Sequence, residues 1–307
     1  MVKYIIQRLL LAVVTVFVIA VITFYLMNMV PGGPFLSEKA PSQQVLEALE
    51  AKYGLDKPLY VQLFTYLKDF VRGDLGVSFK MQKNRPVSTI IGEMFPTSAK
   101  IGIISLTWAT IAGLVFGCVA AYKRGTIIDS ILRVVNTMGV ALPAFVTATV
   151  LLLAFAGVFK SVGLSDWKSY ILPCFTLGLS PMCNVTRYTR SSMLDVLSQD
   201  YIRTAKAKGL KSGKIIMKHA LRNALIPVIT YLGPMVAQIL TGSLVVETVF
   251  TIPGLGRYFV QSISNRDYPI IMGTTIFLAS FVVIMNLVVD VLYKVIDPRI
   301  ELSGGVD

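Results

Sequence analysis

The chain has 307 residues, 54% of them hydrophobic and 15% charged, with a mean hydropathy of +0.69; this excludes an ordinary water-soluble domain and points to an integral membrane protein. Its 29 Lys and Arg against 17 Asp and Glu give a formal net charge of +12, but these cations lie beside apolar runs and form no separate basic domain, which argues against nucleic-acid binding. Three cysteines without C-x-x-C spacing, all within apolar runs, and a single His219 argue against a metal site.

Apolar runs long enough to cross a hydrocarbon core of about 30 Å occupy residues 9–29, 101–122, 134–158, 225–249 and 270–295, with a shorter run at 170–185 that holds Pro173 and Pro181. The first is longer than a signal-peptide core of about 7–15 residues, and no small-x-small cleavage pattern follows it, so it is expected to remain as an anchor. Cytoplasmic loops carry the Lys/Arg excess. Lys3 and Arg8 precede the first run, Lys123 and Arg124 follow the second, and residues 187–222 hold nine Lys/Arg against two Asp/Glu. All three regions share the inner side only if the 170–185 run also crosses. The expected fold is therefore all-α and polytopic, with six transmembrane helices and both termini cytoplasmic. Its parts are a first helix in residues 1–30, an extracytoplasmic region in 31–96, and a five-helix core in 97–307 carrying a cytoplasmic loop at about 191–224.

In the 31–96 region, residues 43–52 read as a helix stopped by Gly54. After Pro58, the spacing of Leu59, Leu63, Leu67 and Phe70 predicts a second amphipathic helix, expected to pack on the outer ends of the spans. Ala109, Gly113, Gly117 and Ala121 make a smooth face on the second span, suited to close helix packing within the chain or to a subunit contact. Gly139 and Pro143 in the third span, and Pro173, Gly178 and Pro181 in the fourth, predict kinks around a cavity.

The fifth span is the most polar. Gln238, Thr241 and Gly242 fall on one helix face, followed by Ser243 and Glu247; such groups line a passage or bond between helices. A turn at Pro253 leads to a short outer helix and to Asn265, Arg266 and Asp267, which serve as a contact for a delivering protein or as a local turn. In the last span Asp290 lies near the inner end beside Lys294, which favours a salt bridge over a proton relay.

The loop between the fourth and fifth spans is the distinctive feature. Asp200 is placed to cap a helix over 201–208, and Gly209 to end it in a left-handed turn. Leu194, Leu197, Tyr201 and Ala205 would line its apolar face. A second helix is expected from near Gly213, with Met217, Ala220, Leu221 and Ala224 in one stripe and Lys214, Lys218 and Arg222 in another. Lipid headgroups explain the basic row. They do not explain a short, stopped helix with small Ala205, Ala207 and Gly209, which fits a groove in another protein. No phosphate-cradling G-x-x-x-x-G-K-[ST], no G-x-S-x-G and no H-E-x-x-H occurs, and no catalytic residue is assigned.

These residues carry a resemblance. Tyr201-Ile-Arg-Thr-Ala-Lys-Ala-Lys-Gly-Leu210 with His219-Ala-Leu-Arg-Asn-Ala-Leu-Ile-Pro-Val228 is similar to the cytoplasmic coupling loop of binding-protein-dependent ABC transporter permeases of the peptide branch. Pro31-Gly-Gly-Pro-Phe35, Tyr53-Gly-Leu-Asp-Lys-Pro58, Val246-Glu-Thr-Val249, Ile252-Pro-Gly-Leu-Gly256, Asn265-Arg-Asp-Tyr268 and Asp297-Pro-Arg299 extend the match to the B-type subunit of oligopeptide permeases. Arg203-Thr-Ala205 stands where the broad permease pattern has Glu-Ala-Ala, as the peptide branch does.

The resemblance implies a type I ABC importer permease fold in the bacterial cytoplasmic (inner) membrane. It implies pairing with a second homologous permease, two cytoplasmic ABC ATPases that bind ATP and Mg, and an extracytoplasmic peptide-binding protein. This chain would hold no cofactor. Asp200, Tyr201, Arg203, Thr204, Ala205, Lys206, Ala207, Lys208, Gly209 and Leu210 would form the ATPase contact, and the bundle would pass oligopeptides. A stand-alone gradient-driven carrier or channel is the alternative; it would need charges at mid-membrane depth, which only Glu247 and Asp290 approach.

Overall fold

The structure, a computed structural model, describes residues 2–30, 33–35, 43–155, 157–159 and 162–296. Pro31, Gly32 and Asp297-Pro-Arg299 lie outside the described residues, as do the side chains of Met217, Lys218, His219 and Lys294. Within them the chain is all-α, with one isolated antiparallel bridge between Val77 and Pro86. The helices are α1 (Val2–Met29), α2 (Gln43–Tyr53), α3 (Leu59–Val71), α4 (Val87–Tyr122), α5 (Ile127–Ala141), α6 (Ala144–Phe155), α7 (Ile171–Leu197) and α8 (Asp200–Ala207). A single turn α9 (Ser212–Lys214), a π-helical turn (Ile215–Ala220), α10 (Leu221–Leu240), α11 (Leu244–Val249), α12 (Leu255–Asn265) and α13 (Tyr268–Ile296) follow.

Among the described residues, four stretches are long and apolar enough to cross a membrane: Ile6–Met29, Val87–Tyr122, Leu221–Val249 and Tyr268–Val291. The third crossing expected from sequence is not one helix. α5 and α6 meet at 105°, and each alone is too short for a hydrocarbon core of about 30 Å. Pro143 is the cause: it forces Leu142 into an extended conformation (φ −73°, ψ 122°), and a new helix starts after it.

The chain divides into two compact units. The first comprises residues 1–97 and 253–287. Here Leu63, Leu67 and Phe70 of the predicted α3 stripe, joined by Tyr66, pack around Ala20 and Phe24 of α1 and Met272 and Ile276 of α13, while Leu59 is 43% exposed. Val87, Ile90 and Ile91 at the start of α4 pack with Leu255 and Ile270. α4 thus begins packing at Val87.

The second unit comprises residues 98–252 and 288–307. α7 lies at its centre and packs against α5, α6 and α10. The smooth face of α4 also meets it: a Cβ on Gly113 would stand 2.8 Å from the Met182 carbonyl oxygen, and one on Gly117 2.8 Å from that of Thr186. These glycines serve packing within the chain. α7 is largely enclosed by protein, with Leu172, Pro173, Cys174, Gly178 and Pro181 among its buried residues. Its buried Thr176 and Thr186 hydroxyls donate to the carbonyls of Leu172 and Met182, each at 2.8 Å. Asp129 of α5, fully buried, accepts two hydrogen bonds from Arg190 of α7 at 2.7 and 2.8 Å.

Candidate functional site

α7 ends at Leu197, and a two-residue link turns the chain into α8. The cap position belongs to Gln199, extended at φ −73° and ψ 152°, and not to Asp200 as the sequence led us to expect. The Gln199 carbonyl accepts from Ile202 N at 3.1 Å, while Asp200 is the first helical residue and pairs with Arg203 at 3.2 Å. An exposed carboxylate there still complements the positive end of the helix.

The stop is as expected. Gly209 has φ +72°, its N–H donates to Lys206 O at 2.9 Å, and Leu210 N donates to Ala205 O at 3.3 Å. This paired closure places Leu210 back over Ala205. It requires a residue that adopts left-handed φ without penalty; an ordinary L-residue loses about 1–2 kcal/mol there.

α8 has two sides. Ile202 and Ala205, 0% and 7% exposed, join Met193 of α7, Ala121 of α4, Ile215, and Ala220 and Ala224 in one apolar cluster. Tyr201, expected in the apolar face, is 42% exposed, and its phenol oxygen accepts from Asn223 Nδ2 at 2.9 Å. Arg203, Thr204, Lys206, Ala207, Lys208 and Gly209 are displayed outward. Ala205 is therefore part of the seat of the helix, not of its displayed surface.

The second arm departs from the expected α-helix. After α9 the chain takes a π-helical turn over Ile215–Ala220 before α10 begins. Ile215 and Ala220, five residues apart, are both buried in the cluster that seats α8. The widened turn breaks the four-residue register that would have aligned Lys214 with Arg222. Both of these side chains are exposed.

Of Gln238, Thr241 and Gly242, expected on one helix face, Thr241 still closes the last turn of α10, whereas Gly242 leaves the helix. α10 ends at Leu240, with Gln238 exposed in its last turn and its carbonyl accepting from Thr241 Oγ1 at 2.7 Å. Gly242 adopts φ +89°, and Ser243 Oγ accepts from Val246 N at 3.2 Å to start α11. The four residues form a break in an otherwise apolar span. Glu247, 2% exposed, turns back to accept from Ser98 Oγ at 2.7 Å, and a side chain at Gly242 would collide with that carboxylate. Ser98 escaped the sequence reading, since nothing local links it to a glutamate 149 residues away.

In the first unit, Asn265 is exposed and Arg266 takes a left-handed φ of +55°. Asp267 is fully buried and accepts from Ser78 Oγ at 2.6 Å and from the N–H groups of Phe79, Lys80 and Met81 at 2.9–3.0 Å. Its carboxylate is thus spent on fixing the 78–81 loop and is withdrawn from any outer surface. Burial and the nearby Arg266 guanidinium lower the pKa of Lys80, while the Asp267 carboxylate opposes them.

The chain belongs to the binding-protein-dependent transport system inner membrane components. That family matches residues 113–302, and the N-terminal family of the same transport-system membrane components matches residues 1–102. It is a multi-pass inner-membrane protein with the fold of ABC importer permeases of type I. A chain of the MetNI methionine ABC transporter, in an inward-facing conformation, aligns with a TM-score of 0.57 at 15% identity, covering 68% of this chain and 97% of that one, a likeness of fold. Among characterised relatives, the dipeptide transport system permease protein DppB of Bacillus subtilis is 46% identical over 98% of this chain and 99% of its own length. The oligopeptide transport system permease protein OppB of Haemophilus influenzae is 43% identical over 98% of this chain and all of its own, and that of Escherichia coli K12 is 40% identical over the same shares.

Proposed function

We propose that this chain is one permease subunit of an ATP-driven peptide importer, crossing the membrane six times with both termini inside. Beside a second homologous permease it would form the pathway, with two cytoplasmic ATPases engaging α8 and an extracytoplasmic binding protein delivering cargo. Oligopeptides are the cargo that the sequence motifs favour.

The observation that carries this reading is the two-sided α8. Its inner edge is held by Met193 of α7, Ile215, and Ala220 and Ala224, so a force on its displayed face passes to α7 and α10. α7 is interlocked with α4 at Gly113 and Gly117, and α10 leads directly to the break at Thr241-Gly242-Ser243. Non-helical backbone at membrane depth is tolerated where protein or a water-filled path satisfies it, which supports a passage-lining role for Gln238 and the break. The ATPases would shift the bundle between two arrangements only in so far as they bind one of them better.

The test is reconstitution. Proteoliposomes holding both permeases and both ATPases, supplied with binding protein and ATP, should accumulate labelled peptides of four to six residues in preference to dipeptides. Accumulation driven by an ion gradient without ATP would overturn the proposal; preferential dipeptide uptake would overturn only the cargo length.

A further inference from the structure

α3 carries two adjoining apolar stripes, centred about 90° apart at 3.6 residues per turn. Its inner stripe packs on α1 and α13 as described. Its outer stripe is Tyr60, Phe64 and Val71, which are 70%, 71% and 83% exposed, with exposed Lys68 in the same row. A helix standing in water keeps polar residues on its free face.

The partners of the inner stripe fix how deep α3 lies. Met272 and Ile276 come four and eight residues after the apolar span of α13 begins at Tyr268. Phe24 and Ala20 come five and nine residues before that of α1 ends at Met29. At about 1.5 Å per residue, two separate helices place their contacts with α3 about 6–14 Å inside the ends of their spans. An interfacial helix buries its apolar face about 5–10 Å into the boundary between headgroups and acyl chains, a depth that this range overlaps. The free surface of α1 is also apolar there: Ile22 and Leu26 are 52% and 59% exposed.

We propose that α3 is an interfacial membrane helix, its Tyr60, Phe64 and Val71 face immersed among lipid acyl chains of the outer leaflet. Lys68, with Arg72 just beyond the helix, reaches from this depth to the headgroups along its alkyl stem. The segment between the first two long spans is thereby not a wholly aqueous loop. It adds a third apolar element that sets the height of the first unit in the bilayer. The lipid surface is favoured over a protein because the stripe lies at the same depth as the exposed apolar side chains of α1, a helix of membrane-spanning length and apolarity.

The experiment places a nitroxide at Phe64→Cys, at Val71→Cys and, as an aqueous control, at Glu47→Cys on exposed α2, each in the assembled transporter in lipid nanodiscs. Of the native cysteines, Cys174 and Cys183 are buried and Cys118 is half-buried. Collision rates are measured with oxygen, which partitions into lipid, and with a water-soluble nickel chelate. The proposal expects the oxygen rate to exceed the nickel rate at 64 and 71 and the order to reverse at 47. A higher nickel rate at 64 and 71 would put the helix in water and overturn it. Low rates of both, with an immobilised spectrum, would mean a protein partner covers the stripe and would overturn it equally. None of these readings depends on which solute is transported.

Discussion

Replacing Gly209 with valine tests the stop of α8 most sharply. At φ +72° an L-residue loses about 1–2 kcal/mol, and β-branching adds to the strain; asparagine tolerates the same conformation. A Cβ at this position meets no atom within 4 Å, so the penalty comes from the backbone alone. A loss of about 1–2 kcal/mol lowers the ratio of closed to open turn about 5–30-fold. If the turn must form for α8 to present its outward face, ATP-dependent peptide uptake in proteoliposomes should fall in Gly209→Val, by at most that factor. Gly209→Asn should stay within about threefold of the parent on the same scale, with equal amounts of assembled complex in all three. Parental uptake by Gly209→Val would refute the reasoning, as would an asparagine variant as impaired as the valine one.

Ala205→Glu should reduce the yield and melting temperature of the complex, because it buries a carboxylate against Met193 and Ile215, whereas Ala207→Glu should leave both unchanged and lower peptide-stimulated ATP hydrolysis. Gly117→Val should cost about 1–3 kcal/mol by overpacking α4 on α7, read as a lower melting temperature by intrinsic fluorescence in detergent. Asp129→Asn should destabilise by about 3 kcal/mol, the low end for a buried pair since Arg190 keeps 21% exposure, and Asp129→Leu with Arg190→Met should restore most of it. Asp267→Asn should raise protease cleavage in the 78–86 loop, since an amide cannot accept from all four donors gathered on the carboxylate.

Local chemistry in the sequence was legible where one residue decides the backbone. Gly209 ends α8, Pro143 divides the third apolar run, and the Gly113–Gly117 row marks a close helix contact. The sharpness of the break at Pro143 was less legible, because a proline in an apolar run fits either a kinked helix or two helices. The cap at Gln199 was hidden by an aspartate next to it that suits the same role. The π-turn at Ile215–Ala220 leaves no sequence mark, since it depends on Ile215 and Ala220 both finding the cluster beneath α8. The ties made by Asp129, Glu247 and Asp267 join residues 61, 149 and 189 apart, and a single sequence holds no record of such pairings. The outer stripe of α3 was masked by the inner one, because the two adjoin and the spacing of either satisfies the same helical period.

A photoreactive amino acid placed singly at Thr204, at Ala207 and at Ile202, in complexes assembled with both ATPases, gives the most direct reading of the central claim. Illumination should join positions 204 and 207 to an ATPase subunit and leave the buried position 202 joined only to this chain. An assembled, peptide-transporting complex in which neither 204 nor 207 captures an ATPase would contradict it.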